Sequence, residues 1–177
     1  LISLADFLKV DSFKKMIFLL LERVGSKIDI TKLASLVGIS RDSVYSFLNL
    51  LEGSYFIHFI SPFTKNKDLE ISGTRKFYFC DTGLINQFSS VSEGAILENS
   101  VFLNLKQNGT INYFQKRNGM EIDFILNGKS AFEVKKTGDF SDINKLHKLS
   151  NKIGIDQYFL ISANYLDFEN TIPTTLI

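Results

Sequence analysis

Glu121-Ile122-Asp123-Phe124-Ile125-Leu126-Asn127-Gly128-Lys129-Ser130-Ala131-Phe132-Glu133-Val134-Lys135 is the stretch that decides how this chain is read. Asn-Gly is the strongest short-range signal for a two-residue hairpin, because both central positions of a type I′ turn need positive φ. Its flanks are apolar and β-rich, so Glu121 to Leu126 and Ser130 to Lys135 are expected as paired strands. Side chains two apart on a strand share a face. Glu133 and Lys135 therefore point one way, and Phe132 and Val134 the other. Asp123 alternates with Ile122 and Phe124, and pairing about the turn sets it near the height of Glu133, to within a residue or two of register. Two carboxylates in an apolar sheet repel and resist desolvation unless a positive charge sits between them. A hard divalent cation, Mg²⁺ or Mn²⁺, is the natural solution, since carboxylates are its usual ligands. Lys135 nearby can polarise a water or stabilise charge on a phosphoryl group.

Working outward, Glu93 to Gln107 reads as a largely apolar helix with Glu98 in its middle. Ile111 to Gln115 is a strand, and Lys116-Arg117-Asn118-Gly119 a turn. Ser141 to Ile153 is a helix with Ile143, Leu146, Leu149 and Ile153 on one stripe, and Gln157 to Ser162 a last apolar strand. The order is α-β-β-β-α-β. A Glu-Val-Lys triplet alone is often a solvated strand face, and a helical Glu is usually a helix former. The combination of Glu98, Asp123 and Glu-x-Lys in this element order favours a site.

The first half follows a different pattern. Phe13 to Val24 reads as a helix closed by Gly25, Thr31 to Val37 as a second, and Gly38 as a sharp turn. Ser40 is a good N-cap for a third helix running to about Glu52. Tyr55 to Ile60 and Lys76 to Cys80 are β-rich, joined by a polar, partly basic loop from Thr64 to Arg75. Helix, glycine turn, helix and then a hairpin is the pattern of a winged helix-turn-helix. Its expected function is nucleic-acid binding, with Arg41, Tyr45 and Asn49 on the third helix and Lys65, Lys67 and Arg75 in or beside the wing. The bland alternative is a winged helix used for protein contacts, because the third helix offers one basic residue and phosphate contacts dominate affinity. The boundary is expected near residues 84–92, giving a winged helix over 1–85 and an α/β domain over 86–177.

Net charge is +1, so the molecule as a whole is not an electrostatic nucleic-acid binder. A single cysteine, Cys80, rules out an intrachain disulfide and fits a reducing, cytoplasmic setting. The longest apolar run, Met16 to Leu21, is far short of the roughly 20 residues that span a bilayer, so no membrane partner is expected. The chain begins at Leu1, which suggests a piece of something longer. Gly128-Lys129-Ser130 mimics the end of a phosphate-binding loop, but Asp123 stands where the first glycine is required.

Asp123 followed by Glu133-Val134-Lys135, with Glu98 upstream, resembles the PD-(D/E)XK nuclease motif. The chain is also similar to the C-terminal region of a prokaryotic AAA-type (AAA+) ATPase family of unknown function, in which a winged helix precedes a restriction-endonuclease-like domain. The resemblance rests on Leu33 to Leu51, Phe77 to Leu84, Gly94 to Asn99 and Glu121 to Lys135, and so covers nearly the whole chain. It implies an α+β or α/β fold with a mixed sheet flanked by helices. It also implies metal ligands Glu98, Asp123 and Glu133, a catalytic lysine Lys135, and an ATP-binding domain N-terminal to Leu1. One departure is Ile122, where the named motif has proline. The competing implication is a regulatory or interaction domain of the ATPase that keeps the fold without turnover. A third is a transcriptional regulator with a ligand-sensing second domain.

Overall fold

A computed structural model describes residues 4–64, 66–116 and 119–176. Three helices come first, α1 (Leu4–Leu21), α2 (Ile30–Val37) and α3 (Arg41–Gly53). The side chain of Asp29 caps α2, Gly38 at φ 80° makes the turn, and Ser40 caps α3. A left-handed backbone costs a non-glycine residue roughly 1–2 kcal/mol, which explains glycine at the turn. The α1 helix starts well before Phe13 and stops at Leu21, with Arg23 to Gly25 turning the chain back.

Strands β1 (Ile57–Pro62) and β2 (Lys76–Phe79) pair antiparallel. The segment expected as a bare loop contains a short helix, α4 (Lys67–Ser72), capped by Asn66. A second unexpected helix, α5 (Thr82–Phe88), capped by Asp81, occupies part of the segment 84–92 read as a boundary. Then come α6 (Glu93–Leu105), β3 (Ile111–Gln115), β4 (Glu121–Leu126), β5 (Ser130–Lys135), α7 (Phe140–Ile153) and β6 (Gln157–Ser162). A short β7 (Thr171–Pro173) was not foreseen.

The protein is mixed α and β, built on a seven-stranded sheet in the order β2-β1-β3-β4-β5-β6-β7. Parallel pairing of β1 with β3, at Ser61 opposite Asn112 and Pro62 opposite Tyr113, carries the sheet across the segment between α5 and α6. The outer β2 edge is covered by the segment after α1, where the Gly25 and Ile28 N–H groups donate to the Phe77 and Arg75 carbonyls at 3.0 Å, and at Phe79 by a side chain. Asn99 on α6, fully buried, accepts the Phe79 N–H at 2.8 Å and donates to the Phe79 carbonyl at 3.1 Å, as a further strand would.

Two cores result, one on each face. The larger unites α1, α2, α3, α5 and α6 with β1, β2 and the inner residues Phe124, Phe132 and Val134. Tyr78 stacks on Phe102 of α6 with ring centroids 4.5 Å apart. The smaller lies beneath α7 and holds Ile122, Ile125, Ala131, Leu146, Leu149 and Ile155. Among the described residues no helix is long and apolar enough to cross a membrane.

Candidate active site

The β4–β5 hairpin forms as its sequence demands. Asn127 and Gly128 take φ of 53° and 66°, and Leu126 pairs with Ser130, Ile125 with Ala131 and Phe124 with Phe132. One step further along this register Asp123 comes opposite Glu133. There the carboxylate takes over from the ladder, and Asp123 Oδ2 accepts the Val134 N–H at 2.9 Å.

A bulge sets Asp123 apart from simple alternation. On β3 only Tyr113 separates Asn112 from Phe114, while on β4 Asp123 and Phe124 separate their partners Ile125 and Ile122. Two residues thus oppose one, and a bulge re-aims side chains, which is why bulges recur beside active sites. The consequence is visible in the packing. Ile122 and Ile125 both enter the core beneath α7, whereas Phe124 enters the other. Regular alternation of Asp123 with both Ile122 and Phe124 is therefore corrected.

Strand β5 is regular. Ala131 faces α7 and Phe132 and Val134 face the larger core, so Glu133 and Lys135 share the α7 side. They line a cavity of about 320 Å³ together with Glu121, Asp142 and Lys145. Lys135 Nζ donates to Glu133 Oε1 at 2.6 Å. The other oxygen, Glu133 Oε2, is buried and has no hydrogen-bond partner among the described residues. Buried carboxylate oxygens are rarely left so, and the cost is that of desolvating the group without return.

Electrostatics agrees with this geometry. Burial, then the charge of Asp123, push the Glu133 carboxyl up to about 8, against the pull of Lys135. Asp123 is raised by burial, offset in part by Lys76, the Val134 N–H and Lys135. Burial lowers Lys135, but Glu133 beside it more than compensates and the net shift is upward.

Glu98 lies elsewhere. It projects from α6 and its Oε1 accepts the Tyr78 hydroxyl at 2.7 Å. Its carboxyl packs over Gly25, where a Cβ would meet Oε1 at 3.1 Å. Burial and then Asp123 raise it to about 7. Tyr78 is itself raised, first by burial and then by Glu98. Both glutamates thus feel Asp123, but Glu98 does not line the cavity that Glu133 and Lys135 share. Among the described residues, no three acidic, His or Cys side chains are gathered in a way that could hold a metal ion.

Three participants were not singled out in the sequence: Lys76, Tyr78 and Glu121. Lys76, the first residue of the β-rich stretch to Cys80, is buried, with Nζ 3.5 Å from Glu121 Oε2. The signal was present, since Lys76 and Tyr78 share a strand face as Glu133 and Lys135 do. Of the nucleic-acid candidates, Arg41, Tyr45 and Asn49 are exposed on α3. Tyr45, Asn49 and Arg75 border a cavity of about 230 Å³. Arg75 is engaged within the protein, paired with Glu52 at 3.3 Å and stacked 4.1 Å from the Phe59 ring centroid. Lys67 opens α4, and Lys65 lies outside the described residues.

Residues 3–95 match the family model described as "Domain of unknown function (DUF8612)". The chain belongs to this family. The DUF8612 match takes in α1 to α5, β1 and β2, including Lys76 and Tyr78, and ends before Glu98. Beyond it, the chain is 29% identical over 167 residues to "Uncharacterized protein MJ1544" of Methanocaldococcus jannaschii, covering 84% of this chain. The chain spans 37% of that relative's length. No solved structure matches it.

Proposed function

We propose that the chain is a nucleic-acid-directed nuclease module, a winged helix joined to a restriction-endonuclease-like half, from a longer AAA+ ATPase. One observation carries the reading. The buried Glu133 Oε2, without a hydrogen-bond partner among the described residues, stands beside Asp123, on a strand face shared with Lys135, at the wall of a cavity. Asp123 and Glu133 would hold a Mg²⁺ or Mn²⁺ ion. Such an ion supplies Lewis acidity and a water of lowered pKa for phosphodiester hydrolysis.

The protein's own residues do the rest. The Val134 N–H fixes the Asp123 carboxylate at β5. Lys135, held by Glu133 at 2.6 Å, presents an ammonium to charge developing on a phosphate. The exposed face of α3, with Arg41, Tyr45 and Asn49, is the surface offered to a groove. ATP would bind in a domain outside this chain, and that reading rests on the family resemblance.

A second reading, a non-catalytic regulatory or interaction domain of the same ATPase, is favoured by the engagement of Arg75 with Glu52 and Lys76 with Glu121. Both withdraw charge from any phosphate. Incubation with single- and double-stranded DNA and RNA under Mg²⁺ and Mn²⁺ separates the two. The nuclease reading expects metal-dependent cleavage that Asp123→Ala and Lys135→Ala abolish. Intact substrates throughout would refute it and leave the regulatory reading.

A further inference from the structure

A second cavity beside α7 is walled by rings. It measures about 290 Å³ and lies between α7, β6 and the segment that joins β6 to β7. Phe140, Ile143, Asn144 and His147 line it from α7, at the i, i+3, i+4, i+7 spacing of one helix face. Asp142, Lys145, Leu146 and Leu149, which line the Glu133 cavity, repeat that spacing two residues on, so the two cavities flank the helix on different sides.

Four aromatic rings meet this space in two pairs. Phe140 and Phe168 stand with centroids 5.4 Å apart and planes at 58°. His147 and Tyr158 stack at 4.6 Å and 21°. Phe140 is 59% exposed and Phe168 41%, so these rings face water rather than a core. Single exposed apolar residues need no explanation, but rings gathered around one concave space mark a binding surface. The walls are also set in advance. Asn151 Nδ2 lies 2.9 Å from His147 Nε2 and orients that ring. The Thr171 hydroxyl donates to the Phe168 carbonyl at 2.7 Å, and the Leu160 N–H donates to the Asn170 carbonyl at 2.9 Å. Asn170 turns the chain at φ 60°, a left-handed conformation that asparagine tolerates better than most residues. Rings held in place lose little freedom when a ligand binds.

The charge of the walls selects the ligand. Glu169 lines the cavity, and among the described residues no Lys or Arg does. The joining segment from Ala163 to Pro173 carries Asp167 and Glu169 and no basic residue. A phosphate would meet repulsion here. Ring faces are the negative ends of aromatic quadrupoles and attract a cation. A bare ammonium is strongly hydrated and resists leaving water. A methylated one presents apolar methyl groups to the rings and keeps its charge.

We propose that this cavity binds a quaternary ammonium group, with Phe140, His147, Tyr158 and Phe168 as its walls and Glu169 as its counter-charge. The inference is independent of the nuclease reading, since it uses none of the residues at the Glu133 cavity.

The test is amide NMR of the full chain, titrated with choline and with its neutral isostere, in which a quaternary carbon replaces the nitrogen. Choline should shift the amides of Phe140, Asn144, Phe168 and Glu169 saturably. It should bind about tenfold more tightly than the isostere, the difference being the attraction of charge to the rings and to Glu169. Phe168→Leu and Glu169→Gln should each weaken choline at least about fivefold while leaving the isostere within about twofold. Both positions are exposed, and urea midpoints close to wild type confirm intact folding. Should Phe168→Leu lower the midpoint, Glu169→Gln decides alone. A peptide bearing trimethyl-lysine, titrated in parallel, assigns the group to a protein side chain if it binds more tightly than choline, and to a small molecule if it does not. Equal affinity for the isostere would reduce the cavity to an apolar cleft and overturn the proposal. So would displacement of choline by adenosine monophosphate, unchanged choline affinity in both variants, or no saturable shift with either ammonium.

Discussion

Glu133→Gln should stabilise the metal-free protein at alkaline pH, although it removes one partner of a 2.6 Å ion pair. In the unfolded chain this carboxyl ionises at its ordinary 4.5, whereas in the folded chain it keeps its proton up to about 8. Between those values the folded state binds the extra proton, so stability falls as pH rises. The contribution is fully present below 4.5 and is gone once pH passes about 8. At about 1.36 kcal/mol per pH unit the interval amounts to roughly 4–5 kcal/mol. Buried sites respond as though their dielectric constant were near 20, so about 2 kcal/mol is the working figure. For a chain of this size that is a difference of roughly 4–8 °C in Tm. Glutamine is neutral at every pH and keeps an oxygen for the Lys135 ammonium, so it escapes the penalty. The assay is thermal unfolding by circular dichroism in EDTA at pH 5 and pH 8.5. The two proteins should melt close together at the lower pH, with the variant several degrees higher at the upper. A variant that melts below wild type at pH 8.5, or by the same margin at both pH values, would refute the reasoning.

Other substitutions probe the supports of the site. Asn99→Leu strands both polar groups of Phe79 at the β2 edge and should cost about 2–4 kcal/mol in urea unfolding. Tyr78→Phe removes a donor that favours ionised Glu98, so that carboxyl should move above about 7. The loss, about 1 kcal/mol at pH 8, should shrink at pH 5.5, where Glu98 is protonated in either protein. Gly25→Ala forces a side chain to φ 77° and towards Glu98 Oε1, and should lower Tm with a cost of about 1–2 kcal/mol.

The sheet around the site was largely legible because its turn chemistry and periodicity agree. Strands β3, β4, β5 and β6 have the bounds expected from alternation and from Asn127-Gly128. The helices α2, α3 and α7 were marked by Gly38, Ser40 and a clear apolar stripe. The short helices α4 and α5 were missed because one turn or two of polar sequence has no periodicity to detect, although Asn66 and Asp81 are cap residues. The bulge at Asp123 escaped because a period of two assumes one residue opposite one. The burial of Lys76 depends on contacts with Glu121, more than forty positions away, and local pattern does not report such contacts. Similarly, the β1–β3 pairing that makes one sheet of both halves is a non-local choice.

The central claim is that Asp123 and Glu133 form the two-carboxylate holder of one divalent ion, with Lys135 beside it. Anomalous diffraction from a crystal soaked in Mn²⁺ addresses it most directly. A single peak within coordination distance of an oxygen from each of Asp123 and Glu133, at the wall of the Lys135 cavity, is the predicted result. No peak there at saturating Mn²⁺, or a peak coordinated by Glu98 instead, would contradict the account.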